Sequence, residues 1–248
     1  MSTDPSSPAA PAEARPSFLS ILGNLLVAPR EAFAAILRRP SPWVPLVGAM
    51  VLSVAFTALW TSKMDVRQFM KEQIEASPRA DQIPPDRMEG IIDQQVKFFP
   101  FFAWLGPTVG LALFYALAAL LYYFIFRFFY GSDVGFRQAF AVTAWTFFAV
   151  AVVTTPLIAL VLALKGDWNI QPHFALQANL SLLLDKATAP KWLWTLAESI
   201  DFFSFWTLWL LATGFAVAMR RTTSGALFGA AAPWLVYVVG RVVLAALF

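Results

Sequence analysis

The chain has 248 residues with a formal net charge of +3. It is 59% hydrophobic and 13% charged, with a mean hydropathy of +0.64, whereas soluble domains average about 45–50% apolar and about 25% charged. The apolar surplus must face lipid, and the small charge, with no basic block outside the apolar flanks, excludes a nucleic-acid-binding footprint. Zero cysteines exclude disulfides, thiolate metal sites and cysteine nucleophiles, and a single histidine, His173, argues against a histidine-built metal centre.

In chain order, residues 1–16 are rich in Pro, Ala and Ser, with nothing to bury, and read as a disordered tail. Residues 17–41 follow as two amphipathic segments. Phe18, Ile21, Leu22 and Leu25 share one helical face; after Pro29, Phe33, Ile36 and Leu37 do the same as far as Arg38 and Arg39. Both are expected to lie on the membrane surface. A cleaved signal peptide is the rival reading of Ser17–Ala28, opposed by the absence of a small-residue cleavage site before Pro29, Arg30 and Glu31.

Residues 42–248 read as one five-helix membrane domain, with spans at about 43–62, 104–126, 139–164, 202–219 and 225–248. From Phe202 to Met219 no ionisable side chain occurs; at 1.5 Å per residue that run covers roughly 27 Å, near the hydrocarbon thickness of a bilayer. Trp43 and Trp60 suit the two interfaces of the first span. Lys63–Lys97 reads as a polar loop with a helix over Asp65–Ala76, interrupted by Ser77, Pro78, Pro84 and Pro85. Gly106 and Pro107 predict a kink or an interfacial start of the second span, and Pro156 a kink in the third, with Thr154 and Thr155 able to satisfy a freed carbonyl. The second long outer loop, 165–200, contains Phe174–Leu184, too short and polar to span, which predicts a helix on or dipping into the surface.

Arg38, Arg39, Arg127, Arg137, Arg220 and Arg221 recur on one side of this count, which sets that side, and the N terminus, as cytoplasmic. Gly106 with Gly110, Gly225 with Gly229, and Gly214 with Ala218 have the small-xxx-small spacing that lets helix backbones approach. They predict packing within the subunit and leave a homo-oligomer open. Arg241 is the charge inside an apolar run, where insertion costs about 2.5–3.5 kcal/mol unless it snorkels or pairs. Counting outward from the turn at Arg221 sets Asp201 opposite it, so an Asp201–Arg241 ion pair is expected, with snorkelling as the alternative.

No span bears a histidine or lysine base, and none holds two embedded aspartates, so the chain does not read as an intramembrane protease or other enzyme, and no catalytic, cofactor or metal site is expected. The segment FFYGSDVGFRQAFAVTAW, the run from Asp201 through FFSFWTLWLLATGFAVA, the basic turn after it and Trp234 in the last helix resemble the Ypt-interacting-protein (Yip-one) family, especially its prokaryotic members. Pro29, Arg30, Glu31 and Phe33 match the segment ahead of that family's first span. The resemblance covers about Val27–Phe248 and implies five membrane helices, a cytoplasmic N terminus and a non-enzymatic role in organising membrane or binding protein partners. Its eukaryotic members bind prenylated small GTPases. The lipid bilayer and other membrane proteins are the expected partners. A small transporter or permease subunit is the alternative, and alanine richness without cysteine points to a bacterial inner membrane.

Overall fold

The protein is described by a computed structural model covering residues 17–77, 83–176, 178–185 and 188–247; the tail at 1–16, Pro78 and Phe248 fall outside them. The described residues are almost all helical. Two short helices, α1 (Phe18–Val27) and α2 (Pro29–Arg38), open the fold. Ser17 caps the first by accepting from the Ser20 amide at 3.1 Å, and Pro29 at the first position of the second needs no hydrogen-bond partner for its nitrogen.

The next helix, α3 (Trp43–Lys63), leads through a turn to α4 (Val66–Glu75), capped by Asp65. Then comes a departure from the sequence reading. The first helix of the Lys63–Lys97 loop does end at Glu75, but the loop's last part is helical, because Pro85 sits at the first position of α5 (Pro85–Leu105), where a proline begins a helix readily. A π-turn at Gly106–Gly110 joins it to α6 (Leu111–Phe124), and a second π-turn covers Ile125–Phe129. Arg87–Phe129 is thus one helical run of 43 residues, roughly 65 Å long and about twice the hydrocarbon thickness. Its polar first third stands beside α4, with Arg67 bridging to Glu89 and Asp93. Trp60, Phe69 and Phe99 meet edge to face below that bridge.

The longest single α-helix is α7 (Phe136–Lys165), which stays helical through Pro156 and ends at Gly166, whose φ of 66° is a left-handed cap. The Thr154 hydroxyl donates to the Val150 carbonyl at 3.0 Å, two residues before the Val152 carbonyl that Pro156 frees. Beyond it Phe174–Leu184 forms no single surface helix. It is divided between α8 (Pro172–Ala175) and a 3₁₀ turn at Leu180–Leu183. The chain closes with α9 (Lys191–Ser199), α10 (Phe202–Ala218) and α11 (Thr223–Leu247). Four helical runs, α3, 87–129, α7 and α11, are long and apolar enough to cross a membrane; α10, at 17 residues, is shorter but equally apolar.

Two helices form the centre. Along α10, Leu210–Ala216 are buried without interruption, and along α7 so are Ala141–Thr146, so both are covered on every side. Small residues make this possible, because without a hydrophobic drive between helices in lipid the backbones must approach for dispersion contacts to count. A Cβ on Gly214 would lie 2.5 Å from Val142 Cγ1 and 3.1 Å from the Phe33 ring. Thr143, Thr146 and Thr213 stand on the same two helices with hydroxyls that meet no partner among the described residues; the packing uses their size.

The amino-terminal pair lays its apolar stripes on the helix bundle. Leu25 and Phe33 are fully buried, Ala32 and Ile36 nearly so, and Phe18 sits 5.8 Å from the rings of Trp145 and Phe148. The amphipathic stripes are real, but they are turned onto α7 and α10 because Gly214 leaves a notch for Phe33. Of the glycines expected to mediate packing, Gly229 also lies against another helix, with Tyr130 and Phe126 within 3.0 Å of a built Cβ. Gly106 would meet nothing, Gly110 only the Leu105 backbone and Gly225 only Thr222, so these three serve no helix-helix contact among the described residues. Gly48, against Phe148 at 2.9 Å, does.

Gly214→Leu should therefore lower detergent-solubilised stability by about 1–3 kcal/mol through overpacking, whereas Gly106→Ala should leave it unchanged or raise it by up to about 1 kcal/mol. Thermal unfolding of the two variants side by side checks this.

Candidate functional site

Polar groups that an apolar bundle must accommodate gather at its two ends. At one, α9 and α10 run in succession but are broken at Ile200 and Asp201. The break exposes backbone groups that a continuous helix would satisfy, and a neighbouring strand-like segment takes them. The Leu180 amide donates to the Ile200 carbonyl and the Phe202 amide to the Ala178 carbonyl, each at 3.2 Å, closing a bridge between Asn179 and Asp201. Asp201 is the N-cap of α10, accepting from the Ser204 amide at 2.9 Å.

Arg241 therefore finds a different acid from the one expected. Its guanidinium pairs with Glu198 at 3.3 Å, and Tyr237 lies under it with the ring centre 5.8 Å from Cζ. The other Glu198 oxygen accepts from the Trp194 indole at 2.9 Å. Counting by equal helix length missed the partner by three residues, because it assumed one continuous helix and ignored that an acid three residues before Ser204, at the head of an apolar run, is a cap whose carboxylate is already engaged. Arg241 is six residues from the end of α11, about 9 Å along the axis, so its charge is both paired and close to the helix terminus.

His173 stands within electrostatic reach of this pair. Burial holds its imidazole below the ordinary value of 6.5; Glu198 opposes that shift and Arg241 adds to it. Both Glu198 oxygens are engaged, so the group ties the 172–200 segment to α11. Elsewhere at this end, the Trp60 indole donates to the Trp168 carbonyl at 2.8 Å, and the Asp65 amide to the Asn169 side chain at 2.9 Å.

The opposite end is basic. Arg127 reaches the Ser132 carbonyl at 3.3 Å and Asp133 at 3.5 Å, and the Gln138 side chain accepts from the Gly135 amide at 3.0 Å, setting the start of α7. These residues face the turn between α10 and α11 across a cleft of about 460 Å³ lined by Gly131, Ser132, Asp133, Gln138, Ala218, Met219, Arg220 and Arg221. Arg30 donates to the Arg221 carbonyl at 3.5 Å. Four of the six arginines expected to set topology, Arg127, Arg137, Arg220 and Arg221, thus belong to one end. Arg38 and Arg39 lie eight and nine residues beyond Arg30, at the far end of α2 and just after it. Among the described residues no group of three or more His, Asp and Glu side chains could hold a metal ion.

Apolar helices of membrane length, with the charged groups gathered toward the two ends, define an all-helical integral membrane protein. The chain matches the Yip1 domain over residues 23–244, and it belongs to the Yip1 family. No curated protein and no solved structure matched it.

The pairing is open to a double-mutant cycle read by thermal unfolding. Glu198→Gln and Arg241→Gln should couple by about 1 kcal/mol, the pair being partly exposed, and Asp201→Asn with Arg241→Gln should show none. For His173 the unfolded chain takes up a proton near pH 6.5 while the folded chain resists it, so stability should fall as pH drops below 6.5. His173→Gln should flatten that part of the stability profile.

Proposed function

We propose that the chain is a non-enzymatic organiser of membrane, of the prokaryotic type within its family, set in a bacterial inner membrane with α10 as a fifth crossing and the N terminus on the cytoplasmic side. The basic end is then cytoplasmic, in keeping with the preference of arginine for that face. The observation that supports an organising role best is the position of α1 and α2. They flank only the half of α7 nearer the basic end, where Phe18 and Phe33 meet it and α10.

On its free side α1 exposes Leu19, Leu26 and Val27, and Ser17–Ala28 carries no charge. Such a helix belongs in hydrocarbon. The bundle therefore has a larger apolar cross-section in one leaflet than in the other, and a shape of that kind favours curvature toward the narrower side. Protein partners, including further copies of the chain, would share the same bilayer; the packing glycines Gly214 and Gly229 are already occupied within the subunit.

Reconstitution into vesicles at increasing protein density tests this, with diameters read by electron cryomicroscopy. The wild type should narrow or tubulate the vesicles. Leu19→Gln with Val27→Gln, both on the exposed face, should weaken the effect by at least half. Unchanged diameters with the wild type would remove the shaping role, and solute flux above that of protein-free vesicles would point to transport in its place.

A further inference from the structure

We infer that the arginine-lined cleft at the basic end binds the phosphate headgroup of an anionic phospholipid from the adjoining leaflet. The inference rests on the chain crossing a membrane and is independent of any effect on curvature.

The chemistry of the lining comes first. Arg220 and Arg221 border the cleft and neither forms an ion pair among the described residues. Arg30 is drawn to the same place by the Arg221 carbonyl, and Arg137 adjoins Gln138 in the wall. The lining carboxylate, Asp133, lies 3.5 Å from Arg127, and Arg220 and Arg221 outnumber it in the lining, so the cleft stays net positive. Carbonyls at the end of α10 would normally oppose an anion. Here those of Phe215, Ala216 and Val217 accept from the amides of Met219, Arg221 and Arg220, which mutes their negative field. The wall on the other side is the amino end of α7, whose dipole favours negative charge.

The position of the cleft at the end of a membrane bundle favours a lipid over a free anion, and apolar residues close by in the chain are consistent with it. Phe128 and Phe129, just ahead of the 131–133 wall in the chain, are 66% and 85% exposed, and Phe228, five residues into α11, is 72% exposed. A phospholipid satisfies both halves at once, its phosphate among the guanidiniums and its acyl chains against the phenylalanines. The cleft is open to its surroundings, as a site for a headgroup whose tails stay in the bilayer must be, and basic pockets between helices at the cytoplasmic face are where anionic headgroups are held.

The test uses the full-length protein in nanodiscs of phosphatidylcholine, titrated with a fluorescent phosphatidylglycerol whose binding is read by energy transfer from tryptophan. Wild type should bind saturably, Arg220→Gln with Arg221→Gln should bind about tenfold more weakly, and Lys165→Gln at the far end of α7 should bind as the wild type does. Thermal unfolding in pure phosphatidylcholine establishes that the double variant is folded; if it is not, Arg221→Gln alone should still weaken binding about threefold. Equal binding by wild type and the folded arginine variants would overturn the assignment. So would competition by millimolar inorganic phosphate, which would make the cleft a soluble-anion site.

Discussion

The close approach of α7 and α10 is the contact the remaining structure depends on. In water such a pair would be driven together by hydrophobic burial; in lipid the tails are as apolar as the side chains, and only packing quality distinguishes a bundle from dispersed helices. Gly214 supplies that quality by letting Val142 and Phe33 converge on one backbone position. Phe126 and Phe215 stack at 4.1 Å beside it, and the Tyr122 hydroxyl donates to the Ala230 carbonyl at 3.2 Å, so α6 and α11 are fixed to the same centre.

Polar groups in this setting have few places to go. The break between α9 and α10 is closed by backbone pairing with 178–180, Arg241 by Glu198 and Tyr237, and the Gly229 amide lies 2.8 Å from the Tyr130 hydroxyl. Interrupted helix is tolerated inside a membrane protein where other protein groups replace the lost bonds. Each of these replacements joins segments distant in the chain, so the irregular places are also where the connecting loops are held.

Much of the fold was legible because length and hydropathy are read directly from a run of side chains. The apolar cores of α3, α7 and α11 fall where that reading sets them, and the family follows from FFYGSDVGFRQAFAVTAW and the Asp201 helix. What stayed hidden depends on three-dimensional neighbours. An amphipathic stripe such as that of α2 looks the same whether it faces headgroups or a notch at Gly214. Glycine spacing could not separate Gly229, pressed by Tyr130, from Gly106, which touches nothing. The dense small residues of Ala139–Ala149 marked the central helix more reliably than the G-x-x-x-G pairs. At the polar end, the capping role of Asp201 was readable from its place at the head of an apolar run, while the Glu198 partner needed the break in the helix to be seen.

Phe33 and Gly214 are separated by about 180 residues, so their contact has one of the longest loops to close in the chain. Synthesis from the amino end delivers α1 and α2 long before α10 exists to receive them. The Phe18 contact with Trp145 and Phe148 needs only α7, whereas the seat of Phe33 is incomplete until Gly214 is made. The amino-terminal pair is thus fastened to two helices made at different times, and the later of them completes its seat.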